Sequence, residues 1–123
     1  AVLAECLAVM RAKGYRVVDL PGTPVRVLAL ATRLPRFIAQ PALTRVLGAG
    51  RGDKMPSFHI DLRSGRGRTE VTFLNGAVAR GGAETGVPTP VNALLTDTLE
   101  ALSAGTLPLN TYRHNPDALL AQL

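Results

Sequence analysis

Residues 54–92 read KMPSFHIDLRSGRGRTEVTFLNGAVARGGAETGVPTPVN, and the rest of the chain is organised around this stretch. It holds two short helical patterns joined by a Gly/Arg hinge and closed by a Gly-Val-Pro-Thr-Pro corner. Met55, Phe58 and Leu62 form one apolar stripe at i, i+3, i+7. Ser57, Asp61 and Ser64 fall at i, i+4, i+7 on the opposite side, so a hydroxyl and a carboxylate look away from the core. The second helix is expected to open at Thr69-Glu70. That would put Glu70 in a first turn, where free N–H groups favour an ionised carboxylate able to accept from a substrate hydroxyl. Asn75-Gly76 then falls inside a helical pattern although both are poor helix formers, and Gly76 predicts close approach of another helix or a ligand.

Working outward, 123 residues set a single-domain expectation for 1–123, with enough chain for its own core. Apolar residues make up 46%, yet there are only three Phe, two Tyr and no Trp. A mass made mainly of Ala, Leu and Val favours close-packed helices over a β-sandwich. No apolar run reaches the length of a membrane span, and the first residues show no basic-then-apolar signal pattern. The lone Cys6 rules out an internal disulfide framework and fits a reducing, cytoplasmic setting. Cys6 itself reads as a small buried hydrophobe. The chain begins without Met and inside a helical pattern, which reads as a piece of a longer protein.

In the first thirteen residues Leu3, Leu7 and Met10 share a face, with Gly14 as the stop. A short extended run, 15–20, ends at Pro21-Gly22. Thr23-Pro24 predicts a cap followed by proline at the first helical position, with a helix to about Leu34. A second stretch punctuated by Pro35 and Pro41 reaches Gly48. Gly48-Ala49-Gly50-Arg51-Gly52 fails as a dinucleotide fingerprint, because Asp53 stands where the third glycine belongs and no strand precedes it. Thr89-Pro90 repeats the cap-and-proline start, and Val91, Leu94, Leu95, Thr98, Leu99 and Leu102 follow at helical spacing until Gly105. The tail carries Asn115-Pro116-Asp117 before a last apolar turn. The architecture expected is all-α, with about six helices.

The net charge of +5 raises anionic partners, and Arg51, Lys54, Arg63, Arg66 and Arg68 gather at the hinge. No aromatic residue interleaves with these arginines, so the cluster reads as a solvated basic hinge before it reads as a nucleic-acid patch. His59 and His114 are not at a metal-ligand spacing, and no metal site is expected. Ser57, His59 and Asp61 do not make a hydrolase triad, since i and i+2 on a helix diverge and no nucleophile elbow is present.

Taken together, Pro56-Ser57, Asp61-Leu62, Thr69-Glu70, Asn75-Gly76 and Gly86-Val-Pro-Thr-Pro-Val-Asn92 resemble the ordered signature of the C-terminal domain of ketopantoate reductase (2-dehydropantoate 2-reductase). Residues 1–53 fit as the helices that precede the signature. The resemblance implies an all-α, multi-helix domain of the 6-phosphogluconate dehydrogenase C-terminal-like type. An N-terminal Rossmann domain, absent from this chain, would bind NADPH. It implies reduction of the C2 carbonyl of ketopantoate, or of a similar 2-keto acid, to pantoate for coenzyme A biosynthesis. By the same resemblance Ser57 hydrogen-bonds substrate, and Glu70 supports the catalytic lysine and the substrate hydroxyl, with Asp61 and Asn75 in support. That lysine would lie upstream of the matched residues; Lys13 and Lys54 do not occupy its position, so this fragment alone is expected to be inactive. A homodimer is implied as well. Two rivals stand beside this reading: a stand-alone helical binding module using the basic hinge, and a related 2-keto-acid or opine-type dehydrogenase.

Overall fold

A computed structural model describes residues 1–48, Leu62 and 69–123. The hinge arginines, Lys54, His59, Ser57 and Asp61 lie outside the described residues. Six α-helices and one 3-10 turn are present among them, with no β-strand. They are α1 (Val2–Ala12), α2 (Val25–Ala31), α3 (Arg36–Gly48), the 3-10 turn Glu70–Thr72, α4 (Asn75–Thr85), α5 (Pro90–Ala104) and α6 (Pro116–Leu120). The all-α expectation holds.

The core sits where α1, α4, α5 and the 3-10 turn meet. Two glycines of α4 let its neighbours in. A methyl group on Gly81 would lie 2.7 Å from Val9 Cγ1, and one on Gly82 would lie 2.6 Å from the Val87 carbonyl oxygen. Helix α1 buries Val9 against Gly81 and buries Leu7 as well, whereas Leu3 and Met10 stay half-buried. The apolar spacing identifies the helix, and the glycine contact explains why Val9, off the expected stripe, goes deep.

Helix α5 departs further from its apolar pattern. Val91, Leu94, Leu95, Thr98, Leu99 and Leu102 are all half-buried, and the residues taken fully inside are Asn92 and Thr96. Thr96 Oγ1 donates to the Asn92 carbonyl one turn back at 2.8 Å, so its hydroxyl is satisfied without water. Gly105 ends the helix in the left-handed region at φ 73°, and the Ala101 carbonyl accepts from Thr106 N at 3.0 Å and Leu107 N at 3.1 Å.

Two helix starts differ from expectation. Pro24, not Thr23, is the capping position of α2, and the donor-satisfying oxygen comes from upstream: Asp19 Oδ1 accepts from Arg26 N at 2.8 Å. The helix also stops at Ala31, three residues short of Leu34. Thr89 caps α5 by position, yet its side chain makes no capping bond. The extended run 15–20 forms no strand; only Leu20 and Thr23 bridge each other around Pro21-Gly22. Asn115 does cap α6, its Oδ1 accepting from Ala118 N at 3.2 Å. Among the described residues no helix is long and apolar enough to cross a membrane.

Candidate active site on the Glu70 turn

Glu70 opens a tight turn of three residues, a shorter element than the helix expected there. Thr69, in extended conformation, caps it by accepting from Val71 N at 3.4 Å. The Glu70 carbonyl accepts from both Phe73 N and Leu74 N, which closes the turn. Leu74 then leaves helical geometry at φ −98° and ψ −86°, and α4 starts afresh at Asn75. Asn75 and Gly76 are thus the first residues of a helix instead of its interior, which removes much of the propensity cost expected of them. The Glu70 side chain is exposed.

The turn is set by what lies beneath it. Val71 is fully buried. A methyl group on Gly76 would stand 3.4 Å from both the Val71 carbonyl oxygen and Thr96 Cγ2, so the close approach expected at this glycine is made by α5 and the turn. Thr72, next along, is tied on two sides. Its carbonyl accepts from Arg80 Nη2 at 3.1 Å, and its hydroxyl donates to Glu100 Oε1 at 2.8 Å.

Asn75 turns its amide inward, where Nδ2 donates to Asn92 Oδ1 at 3.0 Å. Asn92 is 1% exposed and every polar group of its side chain is used. Its Nδ2 donates to the Val2 carbonyl at 3.2 Å and to Glu5 Oε2 at 2.6 Å. Glu5, projecting from α1, also accepts from Val91 N and Asn92 N, each at 2.9 Å. A carboxylate more than eighty residues away in sequence therefore does the capping that Thr89 does not, at the end of α5 where the helix dipole favours negative charge. This Glu5–Asn92–Asn75 chain links α1, α5 and α4 at the base of the Glu70 turn.

Sequence reasoning missed Glu5, Arg80, Thr72 and Glu100. Glu5 left one usable signal: it is the sole acid in a helix that packs inward, with no basic residue one turn away to pair with it. Of the four residues singled out for the site, the structure brings Glu70 and Asn75 onto adjoining elements; Ser57 and Asp61 are not described.

Elsewhere, Lys13 and Glu84 form an ion pair joining the end of α1 to α4. The hydrogen bond to Glu84 raises the Lys13 pKa, and the same bond lowers that of Glu84, so the two partners agree in sign. Burial pushes the half-buried Cys6 thiol up. A cleft of about 710 Å³ opens between α1 and α2, lined by Leu7, Leu30, Tyr15, Arg11, Arg26 and Arg33 among others, and no expected site residue reaches it. None of the residues of the Glu70 turn lines it.

With this geometry in view, comparison with known families matches residues 1–103 to the family described as ketopantoate reductase PanE/ApbA C terminal. The chain belongs to this family. The match covers α1 to α5 nearly to its end and leaves out α6. No curated protein and no solved structure matches the chain. The ketopantoate reductase family is one of oxidoreductases, and within it this chain is the helical C-terminal domain.

Proposed function

We propose that residues 1–123 form the helical substrate-binding and dimerisation domain of an NADPH-dependent 2-dehydropantoate 2-reductase, acting on ketopantoate or a closely similar 2-keto acid in the cytoplasm. The observation that carries this reading is the family match, because its span includes every motif residue the sequence singles out. In support, Glu70 presents an exposed carboxylate on a turn whose underside is packed and hydrogen-bonded. Such a carboxylate can accept from a substrate hydroxyl and hold a nearby ammonium, the arrangement that stabilises charge developing on a carbonyl oxygen during reduction. Ser57 would supply the second polar contact to the substrate, with Asp61 in support. Asn75 would act by holding the base of the turn through Asn92.

The described residues do not fit a dinucleotide, since they contain no strand and hence no strand–glycine loop–helix unit. By the family resemblance, NADPH and the catalytic lysine would belong to an N-terminal Rossmann domain of the same polypeptide. The half-buried apolar row Leu94, Leu95 and Leu102 of α5 supplies surface that a second subunit could cover, in keeping with a homodimer.

The test is NADPH oxidation by the full-length polypeptide with ketopantoate and a panel of other 2-keto acids, beside Glu70→Ala and Ser57→Ala. Turnover of ketopantoate that collapses in both variants is the expected result. Turnover of another keto acid alone would move the substrate and keep the reaction class. A folded protein that reduces none of them would overturn the enzyme reading.

A further inference from the structure

Thr72 stands two residues beyond Glu70 and is gripped from both sides. Arg80 of α4 donates to its carbonyl, and Glu100 of α5 accepts from its hydroxyl. Arg80 and Glu100 are exposed, and the one ion pair among the described residues is Lys13–Glu84. Each of the two instead makes a hydrogen bond to Thr72. A methyl group on Gly76 would come within 3.2 Å of Arg80 Nη1, so the guanidinium would have to shift by a few tenths of an ångström beside the Thr72 carbonyl. Val71 plugs the core directly between Glu70 and Thr72, so a rotation of the turn cannot be absorbed by its neighbour.

We infer that Thr72, clamped between Arg80 and Glu100, is a positioning residue that sets the direction of the Glu70 carboxylate. This rests on the reading of Glu70 given above. Among the described residues the Thr72 hydroxyl bonds Glu100 of α5, not Glu70 or Asn75, while its carbonyl holds Arg80 of α4; the residue acts by fixing the turn to both helices. A charge-assisted bond of this kind is stronger than a neutral one and directional, which suits a group that must be held to a fraction of an ångström.

The experiment uses the full-length enzyme and its keto-acid reduction. Thr72→Val keeps the shape and removes the donor to Glu100, whereas Thr72→Ser keeps the donor. Thr72→Val is expected to lower kcat about three- to tenfold, the size of one hydrogen bond's contribution, and Thr72→Ser to stay within about twofold of wild type. The double variant Glu70→Gln/Thr72→Val should be no slower than Glu70→Gln, because a residue acting through Glu70 has nothing left to position once Glu70 is disabled. A Thr72→Val enzyme as fast as wild type, beside an impaired Glu70→Gln, would overturn the inference and leave the Glu70 reading standing. Losses that multiply in the double variant would overturn it too, as those of a merely structural residue. Full activity in Glu70→Gln would remove the reading of Glu70 and the inference with it.

Discussion

Replacing Glu5 by alanine removes the acceptor for three donors at once: Val91 N, Asn92 N and Asn92 Nδ2. Two of these are free N–H groups in the first turn of α5, and Thr89, the residue in the capping position, offers them no side-chain cap. Loss of a helix cap costs about 1–2 kcal/mol. The amide of Asn92 adds to this, because it is 1% exposed and water cannot replace the carboxylate. A buried donor left unsatisfied costs about 1–3 kcal/mol. The two effects overlap in the same residue, so a loss of about 3 kcal/mol is expected. For a domain of this size that lowers Tm by about 10 °C.

The assay is urea unfolding followed by circular dichroism, with wild type, Glu5→Ala and Glu5→Gln compared at one pH. Glu5→Gln tests the charge. Its amide nitrogen would face donors on Asn92, so it should recover less than half of the loss, leaving about 2 kcal/mol. Asn92→Ala should be strongly coupled to Glu5→Ala, by about 1–2 kcal/mol, because both remove the same bonds. A Glu5→Ala protein within about 0.5 kcal/mol of wild type would refute the reasoning, since it would mean that water or Thr89 can satisfy the start of α5.

Two further outcomes are expected. Gly82→Ala should destabilise by about 1–3 kcal/mol in the same unfolding assay, as the new methyl would lie 2.6 Å from the Val87 carbonyl and 2.7 Å from both Thr89 Oγ1 and Cγ2; an unchanged midpoint would mean that the 87–89 corner gives way easily. Cys6 should react slowly with iodoacetamide at neutral pH, because burial raises its pKa and the thiolate is the reactive form. Its rate should climb as pH rises and should reach that of an ordinary thiol once the protein is denatured; equal native and denatured rates at neutral pH would contradict the burial.

The parts of this fold legible in the sequence are those written in local spacing. Gly105 marks the end of α5, and the apolar period of residues 91–102 identifies a helix before any contact is known. The parts that were not legible depend on groups far apart in the chain. Asp19 satisfies the start of α2 and Glu5 the start of α5, whereas the nearer Thr23 and Thr89 are residues of the right type in the expected places and do neither. A cap is a competition for N–H groups, and a carboxylate delivered by packing outbids a neighbouring hydroxyl because its bonds are charge-assisted. Spacing cannot reveal that competitor.

The same logic explains why the site is only partly readable. Glu70 and Asn75 were visible as polar residues in a helical pattern, but the pattern does not contain the break at Leu74 that converts one helix into a turn and a fresh start. That break has consequences for chemistry. In a continuous helix Glu70 and Asn75 would be five positions apart and turned away from each other. With the chain broken, Asn75 is free to send its amide down to Asn92 while Glu70 stays exposed above. Buried Val71, and the room that Gly76 leaves for its carbonyl, hold the two halves together. The poor helix formers Asn75 and Gly76 are therefore what the broken geometry requires: a side chain short enough to reach Asn92 and a backbone bare enough to admit Arg80 and α5. What looked in the sequence like a weakness in a helix is the joint on which the Glu70 turn is built.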